Sequence, residues 1–549
     1  MRGIVIHKQN PQNGSQETSI SPEKQSSSGC DILLVGYEDD ENLGLRYISA
    51  FLRDHGVKVE IEPYQKSAKD AILERIRKEK PKIVGFSLIF QRMLSDFKEL
   101  IEYLRESGVA AHFTMGGHFP TIEFQKVLEM IPGLDTVVLH EGEETMLELY
   151  RNLNSPDLWP KIRGIAYREG MSIRVTLPRQ LIRDLDSLPF PVRHDELRTH
   201  MGLGMVSVLA SRGCYYNCSF CSIREFYKDA PGPRRRSRSP RNVVKEFEQL
   251  FEKGARIFNF RDDDFSLKKG SQQEWVEELA EELRKTGLAD QILWRVSCRV
   301  DEVDEDIVKM LKEVGLEFLY LGIESGSDQG LKTFNKHYDV NETYLTLDVL
   351  EKTKMNFEYG FMLLDPDTDF NSIRDNIHFL KELGKNGRVV VHFTKMLPYA
   401  GTPIAGRLKQ EGRLKGTIDS PEYSYHDSRI DLMEIFLTQS FNHMLFDFGG
   451  LVNRLQSAQF SAVVLDKFYH YLFDTKAYTE SVRNLIIKCN ERTLETMTLA
   501  EKFIENKSHE EILQNWNELE MLSEKALNTQ SRIKAELDDL RPIEVWPYF

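Results

Sequence analysis

Residues 206–223 read VSVLASRGCYYNCSFCSI, an apolar run that leads straight into Cys214, Cys218 and Cys221 at C-x3-C-x2-C spacing. Thiolates are soft donors suited to zinc, copper(I) or iron–sulfur clusters. A structural zinc site takes a fourth Cys or His at short spacing, commonly as paired knuckles, and none follows here. Three thiolates without a fourth suit a four-iron cluster that leaves one iron open. The chain has 6 cysteines in 549 residues, half of them in this loop, and an odd set in one loop is no disulfide framework. The cluster leads, with structural zinc and inert thiols as the alternatives.

Working outward, short apolar runs alternate with amphipathic segments whose apolar residues stand three and four apart. Downstream the runs fall at 256–260, 292–297, 318–322, 357–363 and 389–393. With 206–210 they predict six βα units, an open sheet or partial barrel whose ligands belong at the C-terminal strand ends. Upstream, runs at 32–35, 57–61, 82–88, 110–115 and 136–139, with helical stretches such as 43–55 and 94–107, predict a doubly wound α/β domain of flavodoxin type. The expected divisions are a Ser-, Gln- and Asn-rich disordered leader over 1–29 and the first α/β domain over 30–154. An extended connector over 155–200 carries DLDSLPFPVR (184–193), followed by the cysteine-bearing core over 201–427 and a helical domain over 428–549.

With 72 basic against 86 acidic residues the net charge is −14, which argues against wholesale nucleic-acid binding. The basic run of Arg234, Arg235, Arg236, Arg238 and Arg241 reads as a solvated face or a cover over the site rather than an RNA contact. No apolar run approaches the roughly 18–20 residues of a membrane span, and no signal-peptide core stands at the N-terminus. The expectation is a cytoplasmic protein with no nucleic-acid or membrane partner. Cys298 and Cys489 read as buried small hydrophobes.

The cysteine triplet at the end of the first strand of a six-unit βα series resembles the radical S-adenosylmethionine (SAM) superfamily. The resemblance implies a [4Fe-4S] cluster on Cys214, Cys218 and Cys221, with SAM on the open iron through its amino and carboxylate groups. It implies that the reduced cluster splits SAM to a 5′-deoxyadenosyl radical that abstracts hydrogen, fed by an external donor such as flavodoxin or ferredoxin. Phe220 matches an aromatic position near the adenine, and Asp262 and Asp263 in FRDDDF (260–265) stand where the SAM ammonium is bound. Arg299 in WRVSCRVD (294–301) either offers its fork to the SAM carboxylate or pairs with Asp301. Glu324 and Ser325 in GIESGSD (322–328) are implied at the ribose, and LPYAGTP (397–403) matches a family turn. Where the family often has a GxPGET-like stretch this chain has LLDPDTDF (363–370), so Asp365 is unassigned.

A flavodoxin-like domain ahead of such a barrel, joined by D-L-D-x-L-P-x-P, resembles the cobalamin (B12)-binding class of these enzymes. The resemblance implies a corrinoid across the strand ends at Gly85 and Ser87, at Gly116, Gly117 and His118, and at Glu141, Gly142 and Glu143. Paired glycines let a backbone approach a ligand closely; a degenerate domain that no longer binds cobalamin is the rival. Cobalamin enzymes with a D-x-H-x-x-G loop place a histidine below cobalt, whereas here DDENLG (39–44) has Glu41 in that place. A carboxylate is a hard ligand and a poor substitute. The expectation is cobalamin without a histidine below it, and Glu41 either solvated or bonded to the corrin edge. The tRNA methylthiotransferases have a similar barrel, but they carry a second cysteine triplet and a β-rich tail, and only Cys30 precedes this barrel.

The implied function is a class B, cobalamin-dependent radical SAM methyltransferase acting on an unactivated carbon or phosphorus centre of a small-molecule or peptide substrate. The alternatives are a non-methylating rearrangement or cyclisation with the same cofactors, and a non-catalytic cobalamin- and redox-responsive binding protein. No catalytic side chain is named by the sequence.

Overall fold

The apolar run at 32–36 lacks alternation, the pattern of a strand covered on both faces, and it forms the wholly buried β1 (Ile32–Gly36). The computed structural model describes residues 29–38, 41–268, 270, 272–471 and 474–540. The expected leader lies outside them except for Gly29, and so do Asp39 and Asp40 of the first-strand loop. After β1 come α1 (Leu43–Asp54), β2 (Val59–Pro63), α2 (Lys69–Glu79), β3 (Ile83–Ser87), α3 (Leu94–Glu106) and β4 (His112–Gly116). The domain continues with α4 (His118–Ile122), α5 (Phe124–Met130), β5 (Thr136–Val138) and α6 (Glu143–Arg151). The five strands are parallel in the order β2-β1-β3-β4-β5, the doubly wound topology that the alternation predicts.

The span expected as an extended connector holds two more strands of this sheet. β6 (Ile165–Glu169) and β7 (Ser172–Val175) pair antiparallel beyond β5, turning at Gly170 with φ +61°. Without them the short, apolar β5 would be a bare sheet edge, a liability for misassociation. The hairpin is hard to see in sequence because β7 is four residues long and mostly exposed, with Ile173 alone packed against the core.

The second sheet begins with β8 (Arg198–His200), antiparallel to β9 (Leu203–Val208). The cysteine loop follows, with a two-residue ladder between β10 (Ser211–Arg212) and β11 (Arg236–Ser237) and the short α7 (Ser222–Tyr227). Then come α8 (Pro240–Glu252), β12 (Ala255–Phe260), α9 (Gln273–Lys285), β13 (Leu293–Arg299), α10 (Glu305–Lys312), β14 (Leu316–Glu324), α11 (Asp328–Thr333) and α12 (Val340–Thr353). β15 (Asn356–Leu364), α13 (Phe370–Gly384), β16 (Thr394–Lys395), α14 (Pro403–Gln410) and the hairpin of β17 (Leu414–Gly416) and β18 (Pro421–Tyr423) complete it. The order β16-β15-β14-β13-β12-β9-β8 is a partial barrel. Side chains alternate across it: Val206, Phe258, Trp294 and Leu319 pack in the main core under the helices. Their neighbours Met205, Ile257, Leu293 and Phe318 form a separate cluster on the other, concave face.

The sixth strand differs from expectation. Only β16 pairs with β15, and the predicted run 389–393 has lost its ladder. Side chains replace it. Asn490 donates to the carbonyls of Gly384 and Val389, both at 2.9 Å, and accepts from the Val391 amide at 2.7 Å, while the Tyr359 hydroxyl donates to Val390 O at 3.2 Å. A buried backbone must find partners somewhere, and here the last helical region supplies them. That region is α15 (Ser428–Phe446), α16 (Leu451–Phe468), α17 (Thr475–Glu505), α18 (His509–Gln514) and α19 (Trp516–Asp539). Asn490 lies on α17, and Phe460 and Val464 of α16 close the concave cluster at the N-terminal strand ends, with the Phe318 and Phe460 rings 5.2 Å apart. The floor of the barrel is thus a helix from outside it. None of the described helices is long and apolar enough to cross a membrane.

Candidate functional site

The cysteine loop is clamped by the segments that follow β12, β13 and α11. Asp262 accepts from the Ala210 amide at 3.0 Å and from the Ser211 hydroxyl, and Asp263 accepts from the Gly213 amide at 2.8 Å. Gly213 itself has φ +84°, and a Cβ there would fall on the Arg234 carbonyl, so only glycine makes this turn. Tyr216 donates to Glu302 at 2.7 Å, Asn335 to Asn217 O at 3.0 Å, and the Ser219 amide to Phe334 O at 3.0 Å. The loop is held before anything binds to it.

Cys218 is buried and Cys214 and Cys221 are half-buried. Burial pushes the Cys214 and Cys221 thiols up to about 12, so the folded site holds neutral thiols that a bound metal's charge would ionise. Among the described residues no three Cys, His, Asp or Glu side chains converge on one point as the ligands of a single ion do.

The other predicted residues fall into two groups. Asp262 is buried, its carboxyl pushed up to about 6 by burial, and it faces the loop backbone. Ser325 is fully buried and bonded to Asn376 at 3.0 Å. Asp365 accepts from the Asp367 amide at 2.8 Å and shapes its own turn. Arg299 closes its fork on Asp301 (2.9 and 3.2 Å), the second of the two readings, and reaches Cys218 Sγ at 3.4 Å. These support the loop. Asp263 is exposed, Phe220 is half-buried with its ring edge-on to Phe334 at 5.3 Å, and Glu324 stands at the concave strand end with φ +66°. The missed residue is Lys336, buried and 3.2 Å from Glu324. Its only signal is a lone lysine twelve residues downstream, which sequence cannot tell from a surface charge.

On the facing sheet the glycines answer to the protein. A Cβ on Gly117 (φ +114°) would stand 2.3 Å from Leu88 O, one on Gly85 would meet Leu34 at 2.9 Å, one on Gly142 would meet Ile48 at 2.8 Å, and one on Gly116 would stand 3.4 Å from Val138 O. Ser87 accepts from Asn42 at 3.4 Å. His118 lies 4.4 Å from the Phe226 ring, and burial holds its imidazole below the usual range against the nearby Asp263. Glu141 and Glu143 do not reach for a ligand: Arg212 binds them at 3.1 and 2.6 Å, and Arg236 binds Glu141 at 2.9 Å. Glu41 is likewise neither solvated nor free for a corrin edge, because Arg193 holds it at 2.8 Å and it accepts from the Ser207 amide at 2.5 Å. Arg193 and Arg238 share the buried Glu246 at 2.8 and 2.5 Å.

These ties correct the reading of the basic run. Arg235, Arg236 and Arg238 are buried, and the latter two carry ion pairs, whereas Arg234 and Arg241 are exposed, so only the ends of the run form a solvated face. Arg236, like Arg212, joins the two sheets through Glu141, with their C-terminal strand ends opposed. Ala400 donates to Gln91 at 2.7 Å, and Gly401, at φ +79°, leaves room for Ile122. Ile89 and Phe90 beyond β3, and Leu397 beyond β16, stay exposed along this junction, with the Phe90 and Tyr399 rings 6.3 Å apart.

Comparison with known proteins places both sheets. The family model described as B12 binding domain matches residues 29–150, and that of the Radical SAM superfamily matches 208–380. The chain is 29% identical over 368 residues to an uncharacterized methyltransferase of Pyrococcus horikoshii, covering 66% of this chain and 77% of that one. It is 28% identical over 310 residues to the anaerobic magnesium-protoporphyrin IX monomethyl ester cyclase of Cereibacter sphaeroides, covering 54% of this chain and about half, 49%, of the cyclase. The solved structure of the cobalamin-dependent S-adenosylmethionine radical enzyme OxsB with aqua-cobalamin and S-adenosylmethionine superposes with a TM-score of 0.67 at 16% identity, over 93% of this chain and 80% of that one. With both domains in one chain, in this order and each on its own sheet, the protein belongs to the radical SAM enzymes that carry a B12-binding domain.

Proposed function

We propose that the protein is a cobalamin-dependent radical SAM methyltransferase acting on an unactivated centre of a small-molecule or peptide substrate. The observation that carries this reading is the clamped cysteine loop at one set of strand ends, facing the strand ends of the B12-binding sheet across an apolar lip. When bound, the cluster supplies the electron that cleaves SAM, and cobalamin supplies a methyl carrier for positions too inert for polar methylation. Cys214, Cys218 and Cys221 would hold the cluster, and Asp263, Phe220 and Glu324 would meet SAM's ammonium, adenine and ribose. Ile89, Phe90 and Leu397 would cover the broad apolar face of a corrin. The floor of Phe318 and Phe460 keeps water from entering the barrel from below, which protects a radical from quenching.

Methyl transfer is favoured over cyclisation because the match runs through 77% of the relative named a methyltransferase and only 49% of the cyclase. The test is anaerobic reconstitution with iron, sulfide, cobalamin and SAM, incubation with fractionated cell extract, and mass spectrometry. A product heavier by one methylene, with S-adenosylhomocysteine and 5′-deoxyadenosine, supports the reading. 5′-Deoxyadenosine without methylation favours the rearrangement or cyclisation, and neither product favours a binding protein.

A further inference from the structure

We propose that Lys336, rather than Arg299, receives the SAM carboxylate, and that Arg299 acts on the cluster through the Cys218 sulfur. This assignment rests on the SAM-binding reading above and divides the two buried cations of the site between two ligands.

Arg299 has no fork left to offer. Its Nε and Nη2 close on Asp301 at 2.9 and 3.2 Å, Nη2 also donates to Lys336 O at 2.5 Å, and Nη1 reaches Cys218 Sγ at 3.4 Å. The guanidinium lies 3.6 Å from the Tyr216 ring centre, which fixes its plane. A second carboxylate would have to displace Asp301 or approach against its charge.

Lys336 is in the opposite condition. Its side chain is 3% exposed, and among the described residues its ammonium has one hydrogen-bond acceptor, Glu324 Oε1 at 3.2 Å. An ammonium carries three donors, and a buried charge with one partner is costly to leave so. The Phe220 and Tyr338 rings stand 6.0 and 5.7 Å away and supply π faces but no acceptor for those hydrogens.

Two glycines let this pair lie directly against the strands. Gly322 and Gly360 lie opposite each other in register on β14 and β15. A Cβ on Gly322 would stand 2.8 Å from Glu324 Oε1 and 3.4 Å from Lys336 Nζ, and one on Gly360 would stand 2.8 Å from the Tyr320 hydroxyl and 3.3 Å from Glu324 Oε2. Glu324 accepts a left-handed backbone, φ +66°, to aim its carboxylate here. Lys336 also follows Phe334 and Asn335, which clamp Ser219 and Asn217 of the cysteine loop. The ammonium is therefore tied to the loop that would present SAM, with Glu324 beside it for a hydroxyl donor. Arg299, donating to a cysteine sulfur, would stabilise the more negative, reduced cluster and raise its potential.

The test uses the full-length, reconstituted holoprotein as wild type, K336M, K336Q, K336R and R299K. Iron content, SAM affinity by anaerobic equilibrium dialysis, and the cluster potential by redox titration without SAM are measured. With full iron, K336M should weaken SAM binding about 10- to 100-fold, the scale of a charge-assisted hydrogen bond. K336R should recover most of that loss, and the potential should not move. R299K should leave SAM affinity within about threefold and shift the potential to more negative values. The reverse pattern overturns the assignment, as does loss of iron in both K336M and K336Q, which would make Lys336 a support of the loop. A wild type that loads iron but binds no SAM overturns the SAM reading itself, whereas normal wild-type binding with unaffected lysine variants overturns only the division of roles.

Discussion

A Cβ on Gly117 of the first sheet would stand 2.3 Å from the Leu88 backbone carbonyl, and Glu141 and Glu143 on the same sheet are bound by arginines. Gly322 and Gly360 of the second sheet instead meet side-chain ends, a Cβ there standing 2.8 Å from Glu324 Oε1 and 2.8 Å from the Tyr320 hydroxyl respectively. Both sheets follow the same rule of placing ligands at C-terminal strand ends. The motif residues of the first largely hold the protein together, and those of the second split between holding the cysteine loop and facing the concave side. A glycine or carboxylate at a strand end is thus no evidence of a ligand until its neighbours are known.

The largest effect expected from breaking this contrast is at the cysteines. Replacing Cys214, Cys218 and Cys221 together with Ala should abolish cluster loading and all 5′-deoxyadenosine formation, while cobalamin uptake, measured by absorbance after desalting, persists on the other sheet. A triple variant that still holds the cluster's iron would refute the site.

Next comes the junction. Arg212 is 12% exposed and binds Glu141 and Glu143. Arg212→Met leaves both acids without this partner and should cost about 3–5 kcal/mol, the scale of a broken buried pair, read by chemical denaturation. A loss under about 1 kcal/mol would mean that the exposed surface, not the ion pairs, joins the sheets.

The glycines give the direct comparison. Gly117→Ala sets a Cβ against the Leu88 carbonyl at φ +114° and should destabilise by about 1–3 kcal/mol. Gly360→Ala meets only the ends of Tyr320 and Glu324 and should cost less than about 1 kcal/mol, yet weaken SAM binding. Equal thermal losses would erase the distinction.

The smallest effect is a pH drift owed to the second sheet. Asp264 is buried beside Glu302, and burial with that like charge pushes its carboxyl up to about 8. Between about pH 4 and about 8 the fold keeps a proton that the unfolded chain has released, so stability is full below that window and falls as pH rises through it. Asp264→Asn should flatten the fall in Tm between pH 5 and 8. An unchanged slope would remove Asp264 as its source.

What the sequence determined by itself was whatever is local. The C-x3-C-x2-C spacing puts three thiols on one loop whatever surrounds it, and apolar runs alternating with amphipathic segments impose parallel strands with crossover helices. Five of the six barrel strands and all five parallel strands of the first sheet follow from that periodicity. The tertiary structure decided the rest, because partners there are distant in the chain. Arg212 meets Glu141 from 71 residues away and Asn490 completes the sixth strand from 99 residues away, and neither distance leaves a periodic trace. Whether Arg299 faces a ligand or Asp301, and whether Glu324 has a lysine beside it, depends on which side chains the folded barrel brings within hydrogen-bond reach. Pattern assigns residues to strand ends, and only packing assigns them partners.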